Sequence, residues 1–327
     1  MCTCVSFKAK DHYFGRNLDL DHSYQESVTV MPRRYELSFR NGKKLEEHFA
    51  MIGMAFVLND YPLYYDGVNE YGLAMAGLNF PDNCYFEKNA GDGGGRDVVA
   101  PFEFIPWILA QCRDLSEARG LIDRLILADI PYAENLPVNP LHFMISDKTS
   151  SIVVEPLRDG LHIYDNPVGV MTNNPTFDYQ LLHLAEFRNV TPEERGASFG
   201  GGIEMPRYCA GMGGIGLPGD LSSPSRFVKA AFTKLNSECD ETEGSAVSQF
   251  FHILGSVEMQ RGCCRLADGG RDITIYSSCM NQEKGVYYVK TYDSFGISAA
   301  DMHHEDLDGT SLSVFPLPKY QELNMLN

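Results

Sequence analysis

Residues 1–20 read MCTCVSFKAKDHYFGRNLDL, and two short strands are written into them. Val5–Phe7 and Tyr13–Phe14 are β-branched and aromatic runs of the kind strands favour. A return of Tyr13-Phe-Gly-Arg16-Asn-Leu-Asp19 antiparallel beside residues 2–7 brings a guanidinium and a carboxylate to the start of the chain. There Arg16 favours a thiolate on Cys2, and Asp19 accepts hydrogen bonds from an amine and orients it. The plainer reading of Arg16 and Asp19 is an ordinary surface ion pair.

Cys2 directly follows Met1, and an initiator Met is usually trimmed when the second residue is small. Trimming would leave one residue carrying both a thiol and a free α-amine. Such an amine titrates at about 7.7–8.0 and can accept a proton near neutral pH. A cysteine thiol, at about 8.5, is a strong nucleophile once deprotonated. Nucleophile and base then share one residue, a recognised variant of triad logic.

Outward from this start, residues 3–80 read as strand-rich. Val28–Met31, Met51–Leu58 and Leu73–Leu78 are β-type runs, split by turn chemistry at Asn41-Gly42 and Asp66-Gly67. Residues 82–97 read as a Gly/Asp-rich surface loop. Two helices are predicted next, Phe102 to Cys112 and one from Asp114 with Leu115, Ala118, Leu121, Ile122 and Leu125 on one face. A meander follows (His142–Ser146, Ile152–Glu155, Leu161–Tyr164, Val168–Thr172). Helices near Asp178–Arg188, Pro224–Asn236 and Ser245–Val257, and a hairpin of Ile273–Met280 with Val286–Tyr292, complete the pattern. Strand blocks and helix pairs alternate without a strict β-α-β rhythm, so the expected fold is α+β, two antiparallel sheets with helices outside them. No linker composition divides the chain, and residues 1–327 are read as one domain.

The chain has 27 Lys+Arg against 44 Asp+Glu, a net charge of −17, with 44% hydrophobic residues. That balance speaks against a nucleic-acid or anionic-membrane partner, since phosphate binding needs clustered cations. It also speaks mildly against an anionic substrate unless basic groups gather at the site. Nine cysteines scattered along the chain predict reduced thiols in a cytoplasmic protein. Residues 1–20 show no signal-peptide pattern. The longest apolar run, Phe49 to Leu58, is half of the roughly 20 residues a membrane helix needs, so no membrane insertion is expected.

Other motifs lose to plainer readings. Gly211-Met-Gly213-Gly214-Ile-Gly216 fits G-x-G-x-x-G, but a poor strand precedes it and Pro218-Gly219 blocks a following helix. Gly196-Ala-Ser198-Phe-Gly200 fits G-x-S-x-G, but charged residues precede it and more glycines follow. There is no H-E-x-x-H and no C-x-x-C, and His303-His304 diverge on strand or helix, so no metal is expected. Cys263-Cys264 reads equally as core or surface thiol. Asn189-Val-Thr191 is a formal glycosylation acceptor without a signal peptide to make it relevant.

Taken in order, MCT at the start, FGRNLD at 14–19, DYPLYYDGVNEYGLAMAGLNFP at 60–81, MTNNPTFDYQ at 171–180 and LPGDLSSPSRF at 217–227 resemble the choloylglycine hydrolases. That family comprises bile salt hydrolases and penicillin V acylases. The resemblance runs across nearly the whole chain and implies the αββα sandwich of N-terminal-nucleophile hydrolases. It implies Cys2 as nucleophile, Asp19 holding its amine, Arg16 beside them, Asn79 and Asn173 as an oxyanion hole, and Arg226 completing the cluster. Taken singly, Asn79 reads as a turn former before Pro81, Asn173 as a cap before Pro175 and Arg226 as a surface charge at a helix start. The implied reaction is amide hydrolysis of a glycine- or taurine-conjugated bile salt through a thioester, with no cofactor. Leu18, Leu58, Tyr65, Tyr132 and Leu136 match the steroid-contact positions, and the resemblance implies a homotetramer.

Asn79 matches typical bile salt hydrolases; penicillin V acylases often carry Tyr there. Cys4 departs from the usual Gly of MCTG. Tyr65 and Tyr132 stand where close relatives have smaller or aliphatic side chains, which bears on pocket shape. The alternatives are an acylase for penicillin V or another N-acyl amide, and a catalytically silent bile-acid- or lipid-binding sandwich.

Overall fold

The computed structural model describes residues 1–196, 200–203, 205–267 and 269–327. Ala197, Ser198 and Phe199, at the centre of the G-x-S-x-G match, lie outside the described residues. The Cys2–Lys8 and His12–Leu20 strands pair antiparallel, with Cys2 opposite Leu18 and Cys4 opposite Arg16. They are central in one sheet, ordered Val170–Met171, Cys2–Lys8, His12–Leu20, Arg271–Asn281, Val286–Thr291 and Ser294–Asp301. A second sheet runs Gly160–Asp165, Ser151–Leu157, Leu141–Ser146, Ala74–Asn79, Tyr61–Asn69, Met51–Leu58, Ser27–Met31 and Ser313–Pro316. All the pairings in both are antiparallel.

Helices cover the outer faces. Phe227, Ala230 and Ala231 of the Ser223–Leu235 helix and Phe250, Ile253 and Leu254 of the Glu243–Gly255 helix join the core that includes Val5, Phe14 and Tyr276. The same core takes in Ile52, Met54, Ala76 and Leu78, so it spans the space between the sheets as well. A second core sets Phe104, Trp107 and Ile108 of the Phe104–Leu109 helix against Met75, Phe143 and Ile145 on the far face of the second sheet. The layers are therefore helix, sheet, sheet, helix, as expected. Covered on both faces, Cys2–Lys8 is buried at every position but its last, which is why it shows no polar alternation.

Several elements depart from the sequence reading. Asp66-Gly67 is no turn but lies mid-strand in Tyr61–Asn69, beside a bulge at Met54/Ala55. Buried Asp66 is drawn inside by the Tyr276 and Tyr287 hydroxyls at 2.7 and 2.6 Å, so tertiary partners override turn propensity. The helix capped by Asp114 stops at Ile122. Leu125, expected on its face, begins a Leu125–Leu127 strand that pairs parallel with Asp97–Val99, at the end of the supposed loop. Val170–Met171 leaves the meander and pairs with Cys2–Lys8 in the other sheet, which carries Asn173 toward Cys2. The Ser294–Asp301 and Ser313–Pro316 strands were not foreseen.

Gly15 sits where the His12–Leu20 strand presses against Arg271–Asn281. A Cβ there would lie 2.0 Å from the Ser278 carbonyl oxygen and 2.9 Å from the Cys279 Cα, both backbone atoms. Gly15→Ala is expected to cost at least about 1–3 kcal/mol by overpacking. A thermal melt checks this, and an unchanged midpoint would refute it.

Candidate functional site

Side chains alternate along a strand, so the central pair divides its residues between two layers. Arg16 faces the second sheet: its Nη1 donates to the carbonyls of Gly77 at 2.6 Å and Tyr65 at 3.2 Å. Its Nη2 donates to the Cys2 Sγ at 2.6 Å. Asn17 and Thr3 face the helices, Asn17 donating to the Leu254 carbonyl at 3.0 Å and Thr3 accepting from Arg226 at 2.6 Å. Arg16 and Arg226 are both fully buried. Burial works against the Arg16 charge, but Cys2, Tyr276 and Asp66 outweigh it and push the guanidinium upward. Burial pushes Arg226 downward, against Asp19 and Cys2.

Arg226 comes from the first turn of the Ser223–Leu235 helix. Its Nη1 also donates to the Cys2 carbonyl at 2.6 Å, and its Nη2 to Asn173 Oδ1 at 2.7 Å. That same oxygen accepts from the Cys2 nitrogen at 2.8 Å, while Asn173 Nδ2 donates to the Asn79 carbonyl at 2.6 Å. The Asn173 carboxamide is thus largely committed to holding the Cys2 main chain and the end of the Ala74–Asn79 strand. The Asn79 side chain has no hydrogen bond among the described residues and lines the same cavity as Cys2, leaving its amide hydrogens for a ligand oxygen.

Asp19 is fully buried, and its Oδ1 accepts from Thr274 Oγ1 at 2.6 Å, while Oδ2 has no partner among the described residues. Burial pushes its carboxyl up, against the pull of Arg226. The Met1 amine donates to the Asp19 carbonyl at 2.6 Å and to Asp272 Oδ2 at 3.1 Å. With Met1 present, the Cys2 nitrogen is an amide standing where a free α-amine would stand. Burial drives the Cys4 thiol well above its usual range despite Arg16, so Cys4 is a neutral packing group near Cys2.

Cys2, Arg16 and Asn79 open into a cavity of about 400 Å³. Leu18, Tyr65, Tyr132 and Leu136 line it, as do Phe102 and Leu63. Leu58 does not; its carbonyl accepts from the Tyr132 hydroxyl at 2.9 Å and so anchors a wall residue.

The profile described as linear amide C–N hydrolases, choloylglycine hydrolase family, matches residues 2–315. The chain belongs to the choloylglycine hydrolase family. It is 50% identical to a bile salt hydrolase/transferase of Lactiplantibacillus plantarum, over 97% of each chain. It is 37% identical to a bile salt hydrolase/transferase of Clostridium perfringens, over 100% of each. A solved variant of the conjugated bile acid hydrolase from Clostridium perfringens superposes with a TM-score of 0.93 at 36% identity, over 100% of both chains. A penicillin V acylase from Agrobacterium tumefaciens shares the fold, with a TM-score of 0.76 at 18% identity, over 99% of this chain and 100% of that one.

Around Cys2, Arg16 and Asn173 the structure also places Thr274, Ser223 and the Asp66–Tyr276–Tyr287 cluster, none of which the sequence singles out as part of the site. Ser223 Oγ accepts from the Asn173 main-chain nitrogen at 2.9 Å. Thr274 meets Asp19 through pairing of Arg271–Asn281 with His12–Leu20, Tyr276 and Tyr287 reach Asp66 from the opposite sheet, and Ser223 reaches Asn173 from a helix start, so every partner is distant in sequence. Asp19 Oδ2 is a buried acceptor on the residue whose carbonyl already holds the Met1 amine. Loss of Met1 would turn the Cys2 amide nitrogen into an amine with further hydrogens to donate. Intact-mass analysis of active protein is therefore expected to show a chain one methionine lighter than the full sequence. A form with an untrimmed N-terminal extension should lose roughly 10⁴-fold or more in kcat, as when a nucleophile or its base is removed. Full activity from the extended form would refute the amine's role.

Proposed function

We propose that this chain hydrolyses the amide bond of glycine- or taurine-conjugated bile salts. The observation that carries the reading is the Cys2 sulfur, held by Arg16 at the end of a cavity walled by apolar and aromatic side chains. A rigid, largely hydrocarbon acyl group fits such walls, and its amide carbonyl comes to rest against the thiol. Relatives named for this activity match the chain end to end.

In the proposed sequence, the Cys2 α-amine takes the thiol proton and the sulfur adds to the amide carbon. Asn79 donates to the oxygen as it gains negative charge; such a preorganised donor contributes roughly 2.7–4 kcal/mol. The C–N bond breaks as the ammonium returns its proton to the leaving nitrogen, which departs as glycine or taurine. The amine then takes a proton from water, whose oxygen adds to the thioester, and the C–S bond breaks as the ammonium returns that proton to the sulfur, releasing the bile acid. Asp19 orients the amine, and Arg226 with Asn173 fixes the Cys2 main chain. An amine in place of water would give acyl transfer, which fits the hydrolase/transferase names of the relatives. Among the described residues no helix is long and apolar enough to cross a membrane. All nine cysteines are unpaired, which supports a reducing, cytoplasmic setting.

Purified protein is expected to release glycine or taurine from conjugated bile salts, and Cys2→Ala is expected to release none. Absence of release by the native chain would sink the proposal. The kcat/KM for a conjugated bile salt should exceed that for penicillin V by about 100-fold or more; the reverse order would favour the acylase reading. Leu136→Glu, which puts a charge on the apolar wall, should raise KM at least about tenfold. An unchanged KM would remove the wall from substrate binding.

A further inference from the structure

Two buried polar residues lie outside the chemistry described above. His142 and Glu155 stand at neighbouring positions on the Leu141–Ser146 and Ser151–Leu157 strands, both almost completely buried. His142 Nδ1 lies 3.1 Å from Glu155 Oε1, and the imidazole stacks on Phe80, ring centroids 4.2 Å apart and planes 5° from parallel. Their remaining bonds leave the sheet. His142 Nε2 lies 2.8 Å from the Thr172 carbonyl oxygen, and Glu155 accepts from the Phe177 nitrogen at 3.0 and 3.2 Å. Residues 172 and 177 bracket Asn173.

We propose that the His142–Glu155 pair is a brace that positions Asn173 for the reaction. The proposal deepens the functional reading above and rests on it for its kinetic test. The segment leaves the first sheet at Met171, and the pair is fixed to the second. One buried contact therefore sets the segment's height between the layers, on both sides of the residue that holds the Cys2 nitrogen. A mere sheet-stabilising pair would bond along the strands; this one spends its outer atoms on the segment. Each imidazole nitrogen faces an oxygen, and a carbonyl can only accept. A glutamine at 155 keeps the set but for one of the two Phe177 contacts: its oxygen, in the place of Oε2, accepts from Phe177, its amide donates to Nδ1, and Nε2–H donates to Thr172.

The test compares Glu155→Ala, His142→Phe and Glu155→Gln in the full chain. The first two are expected to lower kcat roughly 10- to 100-fold, as small misplacements of reacting groups do, with KM within about twofold. Alkylation of Cys2 by iodoacetamide, read by mass spectrometry, should proceed at the native rate, because Arg16 is untouched. Glu155→Gln should keep kcat within about threefold of the native value. His142→Phe keeps the stack on Phe80, so it and Glu155→Gln decide the question if Glu155→Ala fails to fold. A folded His142→Phe with native kcat overturns the brace, as does a Glu155→Gln variant crippled with KM or alkylation altered as well. A substrate-independent arm follows the Asn173 side-chain amide resonances, expected to move in His142→Phe and to hold in Glu155→Gln. If the native chain releases no glycine or taurine, the substrate reading fails while this arm still decides the brace.

Discussion

A guanidinium buried between two sheets organises this protein. Taking a charge of that size out of water costs several kcal/mol unless every face of it is answered. Arg16 is answered from both sheets at once: carbonyls of Gly77 and Tyr65 from the second, the Cys2 sulfur from the first. Asp66 adds a counter-charge, and it is itself held by Tyr276 and Tyr287 reaching across from the first sheet. The cation thereby ties the layers together at the place where the reactive sulfur must lie. The contact that packs the sandwich is also the one that holds the Cys2 sulfur, so the site cannot loosen without the sandwich loosening too.

The two halves of Cys2 are served separately, and strand geometry is the reason. Arg16 meets the sulfur from the inter-sheet side, while Arg226 and Asn173 hold the carbonyl and nitrogen from the helix side. A strand in the middle of a sandwich offers both faces to buried partners; an edge strand would offer one to solvent. Burying Cys2–Lys8 on both sides is thus a condition of having two arginines at one residue. Val170–Met171 supports the arrangement from outside, since its pairing with Cys4 and Val5 delivers Asn173 to the same end of the strand.

The layer order was legible because β-type runs and amphipathic helical stretches are local signals. The central hairpin was legible from residues 2–19, including the approach of Arg16 to Cys2. Asp66 was misread because Asp-Gly is a turn signal wherever no distant partner intervenes, and its partners lie more than 200 residues away. Leu125 was misread because a short continuous apolar run such as Leu125–Leu127 cannot be told from a helical segment by periodicity alone. Asn173 was placed at the site by resemblance, but its commitment to the Cys2 and Asn79 main chains follows from a segment that crosses between sheets. No periodicity in the sequence encodes that crossing.

The net charge of −17 gains a sharper meaning from the cavity. Among its lining residues, Arg16 is the one Lys or Arg, and four of its five N–H groups already donate to Cys2, Gly77, Tyr65 and Asn17. An acidic molecule without a spare cation in its cleft gains little by recognising an anionic tail, since overall charge governs steering more than contact. On the proposed reading, selection therefore falls on the acyl half of the substrate, through Leu18, Leu63, Phe102 and Leu136. Burial of apolar surface, at about 25 cal/mol per Å², supplies affinity here without asking the protein to desolvate a second ion pair beside Arg16.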